Sequence, residues 1–252
     1  MNNVEMDEIA ASEEVPQAFY SCKLETKEQV ECAARIDMYA LFADTFRYPD
    51  PLFRDFIRNG EFKSVLLTLC KNLPYAMELS NEEIDKLTYS EDLSDEDVEV
   101  EFIRLFESGP GDPPCPLIEG FYMGEEEGRK TIFKDLILFY NNFGLSYAEG
   151  SSEDRPDHIT YELEFLHYLT FLNLKALQES KEAHSYLWAQ KDFLERHPAR
   201  WTGSMSTRMD EISNGLKPDV NREVIEFYRN IVKLLDRFVT RDSEYTLLIS
   251  GN

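Results

Sequence analysis

Chemistry is easiest to imagine at Glu164 and His167, a Glu-x-x-His pair that one helical face would present together. Helical bundles use such pairs in di-iron sites, where a second Glu-x-x-His and two more glutamates complete the ligand set. His158, His184 and His197 supply no second pair, which leaves an ordinary polar stripe on a buried helix as the competing reading. Cys115 sits in a proline-rich loop, and the sequence names no base beside it, so it is weak ground for a nucleophile. Gly109-x-Gly111 lacks the Lys-Ser/Thr ending of a phosphate loop and follows no strand pattern. The expectation is a binding protein with no catalytic residue, no metal and no cofactor of its own. A metal-dependent helical-bundle oxidoreductase using Glu164 and His167 is the alternative.

Two places could bind. In Gly109-Pro110-Gly111-Asp112-Pro113-Pro114-Cys115-Pro116, four prolines and two glycines in eight residues exclude helix and central strand. Such a stiff loop either joins two halves or receives an extended peptide on preorganised backbone. Asp157 and His158 follow Pro156 at the start of a long helix, where Asp157 reads as an N-cap. The charge balance bears on partners: 26 basic against 49 acidic residues give a formal net charge of -23. Nucleic acid or an anionic membrane surface would be repelled, and a cationic segment attracted. Acidity also serves solubility alone, and both readings stand.

These residues must be positioned by helices. Residues 1–26 read as a mobile acidic arm. Cys32, Ile36, Tyr39, Ala43 and Phe46 then recur at helical spacing, up to Tyr48-Pro49. Shorter helices are expected over Leu52–Arg58 and Phe62–Asn72, and Ser94 with Asp97 opens another that ends near Ser108. The acidic stretch 80–97 is part helix flank, part connector. Beyond the loop, a helix from about Arg129 carries Ile132, Leu136, Phe139 and Phe143, with Gly144 placed to end it. The helix after Pro156 is apolar on most sides between Leu163 and Leu172, as a central helix would be. Further helices follow over roughly 182–196, 198–212 and through Val224–Phe238. The predicted fold is all-α: a single bundle of about ten helices, with halves 27–108 and 117–241 around a hinge loop at 109–116 and a tail at 242–252. Four scattered cysteines form no CxxC pair, no export signal is visible, and no apolar run is long enough to span a membrane. A cytoplasmic protein is expected.

Two segments together resemble a known family. The first is Glu101-Phe102-Ile103-Arg104-Leu105-Phe106, with Gly109-Pro110-Gly111, Pro113-Pro114-Cys115-Pro116-Leu117, Glu119 and Tyr122. The second is Pro156-Asp157-His158-Ile159 with Glu162-Leu163-Glu164-Phe165-Leu166. In this order, the pair resembles the redox-enzyme maturation proteins of the TorD/DmsD/NarJ family, over roughly residues 30–240. The resemblance implies an all-helical, non-catalytic chaperone. Its client would be the catalytic subunit of a dimethylsulfoxide-reductase-type molybdoenzyme, often bound at a twin-arginine signal peptide. The subunit would be held in the cytoplasm for molybdenum cofactor insertion and assembly. Carried over residue by residue, the resemblance places Asp157 and His158 at the peptide-binding region, with Gly109, Pro113, Pro114, Glu119, Tyr122 and Glu162 near it. Glu164 belongs to the same motif, on its core side.

Overall fold

The computed structural model describes residues 23–108, 111–123, 126–145, 155–218 and 220–251. The arm up to residue 22, Gly109 and the loop 146–154 lie outside them. The described residues are all-α. Helix α1 (Lys27–Thr45) starts behind Thr26, whose side chain accepts the Gln29 N–H. Then come α2 (Pro51–Arg58), α3 (Glu61–Asn72), α4 (Asn81–Asp85) and α5 (Asp95–Phe102). Ser94 caps α5 by accepting from the Asp97 N–H at 3.1 Å, as its spacing predicts. A π-helical turn, Ile103–Glu107, continues α5 and closes with Ser108 N–H on the Ile103 carbonyl.

Past the proline-rich loop lie the single turn α6 (Glu119–Tyr122) and α7 (Glu126–Asn142). The second half is completed by α8 (Ile159–Gln178), α9 (His184–Arg196), α10 (Pro198–Asn214) and α11 (Arg222–Ser250). Gly144 adopts φ +76°, a left-handed conformation that costs glycine little, and Leu145 N–H returns to the Tyr140 carbonyl to close α7.

The two halves of the bundle pack into one another. Helix α1 packs along α8, and α8, α9, α10 and α11 follow as successive neighbours. Cys32, Ile36, Tyr39, Ala43 and Phe46, the face read from the sequence, are all buried. One apolar cluster runs from Ala34 in α1 to Val239 in α11 and takes in side chains on both sides of the proline-rich loop.

Two expectations need correcting. Residues 242–250, read as tail, continue α11, and Asp242 within them is fully buried. The cap of α8 is His158, not Asp157: His158 Nδ1 accepts from Thr160 N–H, while the Asp157 side chain is engaged elsewhere. Helix α8 is central, although Phe171 leaves one flank open to solvent. No helix among the described residues is long and apolar enough to cross a membrane.

Candidate functional site

The two segments that stood 40 residues apart in the sequence meet in space. Ile159 N–H donates to the Leu117 carbonyl at 2.8 Å, and Glu119 N–H donates to the Asp157 carbonyl at 2.9 Å. The bonds form a short antiparallel bridge between Ile118 and His158, which ties the end of the proline-rich loop to the start of α8. Asp157 completes the tie with its side chain. Its Oδ2 accepts the Gly120 N–H at 3.0 Å, and both oxygens take the Arg155 guanidinium, Nε at 3.0 Å and Nη2 at 2.9 Å. Such a bidentate, charge-assisted pair is directional as well as strong. Gly120 permits it: a Cβ there would stand 2.9 Å from Asp157 Oδ2.

Behind this tie lies a buried acidic pair. Glu119 and Glu162 are both fully buried. Glu162 Oε2 accepts from the Trp201 indole N–H at 3.1 Å, and Glu119 Oε2 lies 2.9 Å from His197 Nδ1. Their remaining oxygens, Oε1 of each, have no other partner. Burial, and then the nearby charge of Glu119, raise the pKa of Glu162 well above the usual carboxylate range. Burial beside a second acid thus disfavours the charged form of Glu162. The same desolvation, with these carboxylates around it, raises the Tyr140 phenol, whose hydroxyl donates to the Pro156 carbonyl.

The loop itself is pinned. Cys115 N–H donates to the Leu105 carbonyl at 2.8 Å, inside the π turn, and Arg208 Nε donates to the Pro114 carbonyl. Cys115 is buried, and desolvation pushes its thiol up to about 11, far from a reactive thiolate. Tyr122 stacks on Trp201 with ring centroids 5.2 Å apart, and its hydroxyl lies 3.5 Å from Cys115 Sγ.

Of the residues singled out from the sequence, the structure brings Asp157, His158, Glu119, Tyr122 and Glu162 into one junction. Asp157, Glu119 and Glu162 face inward, whereas His158, Tyr122, Pro113 and Pro114 are half-buried and reach solvent. Gly109 lies outside the described residues. Burial pulls the His158 imidazole down to about 4, so the ring is neutral at pH 7. Sequence reasoning missed His197 and Trp201, which complete the junction from the α9–α10 corner; the His197-Pro198 break was the available signal.

Glu164 and His167 are engaged in helix docking. Glu164 forms an ion pair with Arg47, and His167 Nδ1 lies 3.2 Å from the Ile36 carbonyl, both on α1 or its end.

The nitrate reductase delta subunit family model matches residues 70–207, a stretch that holds both sides of the junction. This chain belongs to that family. It falls within the redox-enzyme maturation proteins that its motifs resemble. The chain is 31% identical over 221 residues to the perchlorate reductase assembly chaperone protein of Dechloromonas aromatica (strain RCB), covering 85% of this chain and 90% of that one. It is 36% identical to the chlorate reductase assembly chaperone protein of Ideonella dechloratans and 34% identical to the selenate reductase assembly chaperone protein of Thauera selenatis. Each of these two alignments covers 47% of this chain and 60% of the relative. The delta-family match thus includes the bridge, the buried acidic pair and Trp201 together.

Proposed function

We propose that this protein is a cytoplasmic assembly chaperone for the catalytic subunit of a dimethylsulfoxide-reductase-type molybdoenzyme, and that it holds this subunit for molybdenum cofactor insertion before export. The observation that carries the reading is the junction: the family's two sequence segments are joined by backbone bonds and a buried acidic pair. The names of the three relatives, each an assembly chaperone of a reductase, support the same reading. The junction builds an exterior, in which Pro113, Pro114, Tyr122 and His158 present a preorganised edge to an extended client segment. Asp157, Glu119 and Glu162 hold that edge from behind. A twin-arginine signal peptide suits the chain's net charge of -23, because surrounding carboxylates would steer two guanidinium groups toward it.

The test is copurification of the tagged chain from its native host. A cofactor-free molybdoenzyme catalytic subunit should come with it, and recovery from the Asp157→Ala/His158→Ala double variant should fall about tenfold, equivalent to ~1.4 kcal/mol of binding. If the folded double variant recovers client as well as the parent, the assigned edge is wrong.

A further inference from the structure

Beside Pro114, a groove of about 640 Å³ opens between the π turn, the proline-rich loop and the end of α10. Its floor is apolar: Pro114, Ile212, Leu216 and Val220. Its rim holds three cations, Arg104, Arg208 and Lys217, against the single carboxylate of Glu211. In a chain of net charge -23 this is a local reversal of sign. Arg208 is set in place by the Pro114 carbonyl and by the Phe121 ring, 4.9 Å from its guanidinium carbon, and Arg104 lies 3.3 Å from Glu101. Lys217 is exposed.

An occupant must carry both acidic and apolar side chains. Residues 1–22 do: Glu5, Asp7, Glu8, Glu13 and Glu14, no Lys or Arg, and Val4, Met6 and Ile9 interleaved near the start. We propose that the segment Met1 to Ile9 of the same chain docks in this groove, drawn by the attraction between its carboxylates and the cations.

The tether allows it. Helices α1 and α11 run antiparallel, since Arg35 meets Asp242 while Phe42 meets Phe238. From Arg222 beside the groove to Asp242 is ~30 Å of helix rise, and from Arg35 back to Lys27 is ~12 Å more. Residues 10–26, extended, cover roughly 55 Å, more than the ~42 Å required. A segment tethered within reach has an effective concentration near the millimolar range, so weak contacts suffice to seat it. Exposed charge pairs contribute little each and are screened by salt, which makes the docking salt-sensitive.

The experiment attaches a nitroxide to Asn3→Cys in the full chain, with Cys22→Ser and Cys70→Ser to keep labelling single. Amide signals of Ile212, Leu216 and Val220 should broaden, and those of Ala76 at the far end should not. Lys217→Glu should lower the docking equilibrium about two- to fivefold. Salt near 1 M, where the Debye length is ~3 Å, should release the arm. Broadening that is absent, uniform or centred elsewhere overturns the proposal. Equal broadening of an isotope-labelled, nitroxide-free chain mixed with an unlabelled nitroxide chain also overturns it, because the arm would then come from a second copy.

Discussion

Two buried polar sites hold this bundle together, and they are built on opposite plans. At the α1–α11 contact, Asp242 accepts from Arg35 Nε at 2.6 Å and Nη2 at 2.8 Å, and from the hydroxyls of Tyr39 and Tyr75. Gln190 Oε1 takes Arg35 Nη2 at 2.6 Å and the Thr170 hydroxyl at 3.1 Å. Both Asp242 oxygens are used, and the opposite charges sit face to face. At the junction, by contrast, three carboxyl groups, Asp157, Glu119 and Glu162, crowd around Arg155, His197 and Trp201. Two of their oxygens, Oε1 of Glu119 and Oε1 of Glu162, receive no hydrogen bond from a neighbouring donor, and burial disfavours the charged form of Glu162. A saturated network clamps a fold, whereas a crowded one depends on protonation and close approach. The family's motif residues sit on the second plan.

The largest expected effect breaks the clamp. Asp242→Ala strands a fully buried Arg35 and should cost ~3–5 kcal/mol of unfolding free energy by denaturant titration. Arg35→Met with Asp242→Leu should recover most of this, since apolar replacement of a buried pair is often neutral or better. If the double variant is as unstable as the single one, the network does more than pair charges.

Next comes Gly120→Ala. Its Cβ would press on Asp157 Oδ2, and the resulting shift should cost ~1–3 kcal/mol and lower client recovery as well. A variant of wild-type stability and recovery would mean that the bridge tolerates movement.

Glu162→Gln should match the parent most closely below pH 4.5, where the carboxyl is protonated folded and unfolded, and should become the more stable of the two as pH rises toward neutrality. Its signature is the pH profile. The folded pKa of Glu162 lies above its ordinary 4.5, so its contribution is fully present below that value and is lost as pH rises toward the folded pKa. The slope reaches at most ~1.4 kcal/mol per pH unit. His158 works the other way: with its pKa drawn from 6.5 to about 4, its contribution is present above 6.5 and is lost as pH falls toward 4. Between these values the two slopes oppose each other. Glu162→Gln should therefore unmask a stability that rises with pH from 4.5 to 6.5, and an unchanged profile would show that Glu162 does not hold the proton.

The smallest effect belongs to Glu164→Ala, which removes a solvent-exposed ion pair with Arg47 and should cost no more than ~1 kcal/mol.

Much of this fold was legible because apolar side chains recur along helical faces, as on α1, and because Pro49, Pro198 and Gly144 punctuate them. The clamp was not. Residues 242–252 read as a tail, and nothing local reveals that Asp242 has a partner in α1. Asp157 was misplaced for a related reason: an Asp after Pro is a good cap by type, but Gly120 and Arg155 claim its oxygens first. The junction residues were legible as a motif, and their contacts were hidden. Neither the burial of Glu162 beside Glu119 nor the part played by His197 and Trp201 follows from spacing, since both arise where α6, α8 and the α9–α10 corner converge.

The clamp also sets when the protein comes into being during its own synthesis. Arg35 leaves the ribosome early, and its partner is 207 residues behind it. At ~5–20 residues per second, α1 waits roughly 10–40 s for the helix that neutralises it. Growing chains must pass this interval with a cation and an apolar face unmet, so the folded bundle can exist only after Asp242 has been translated.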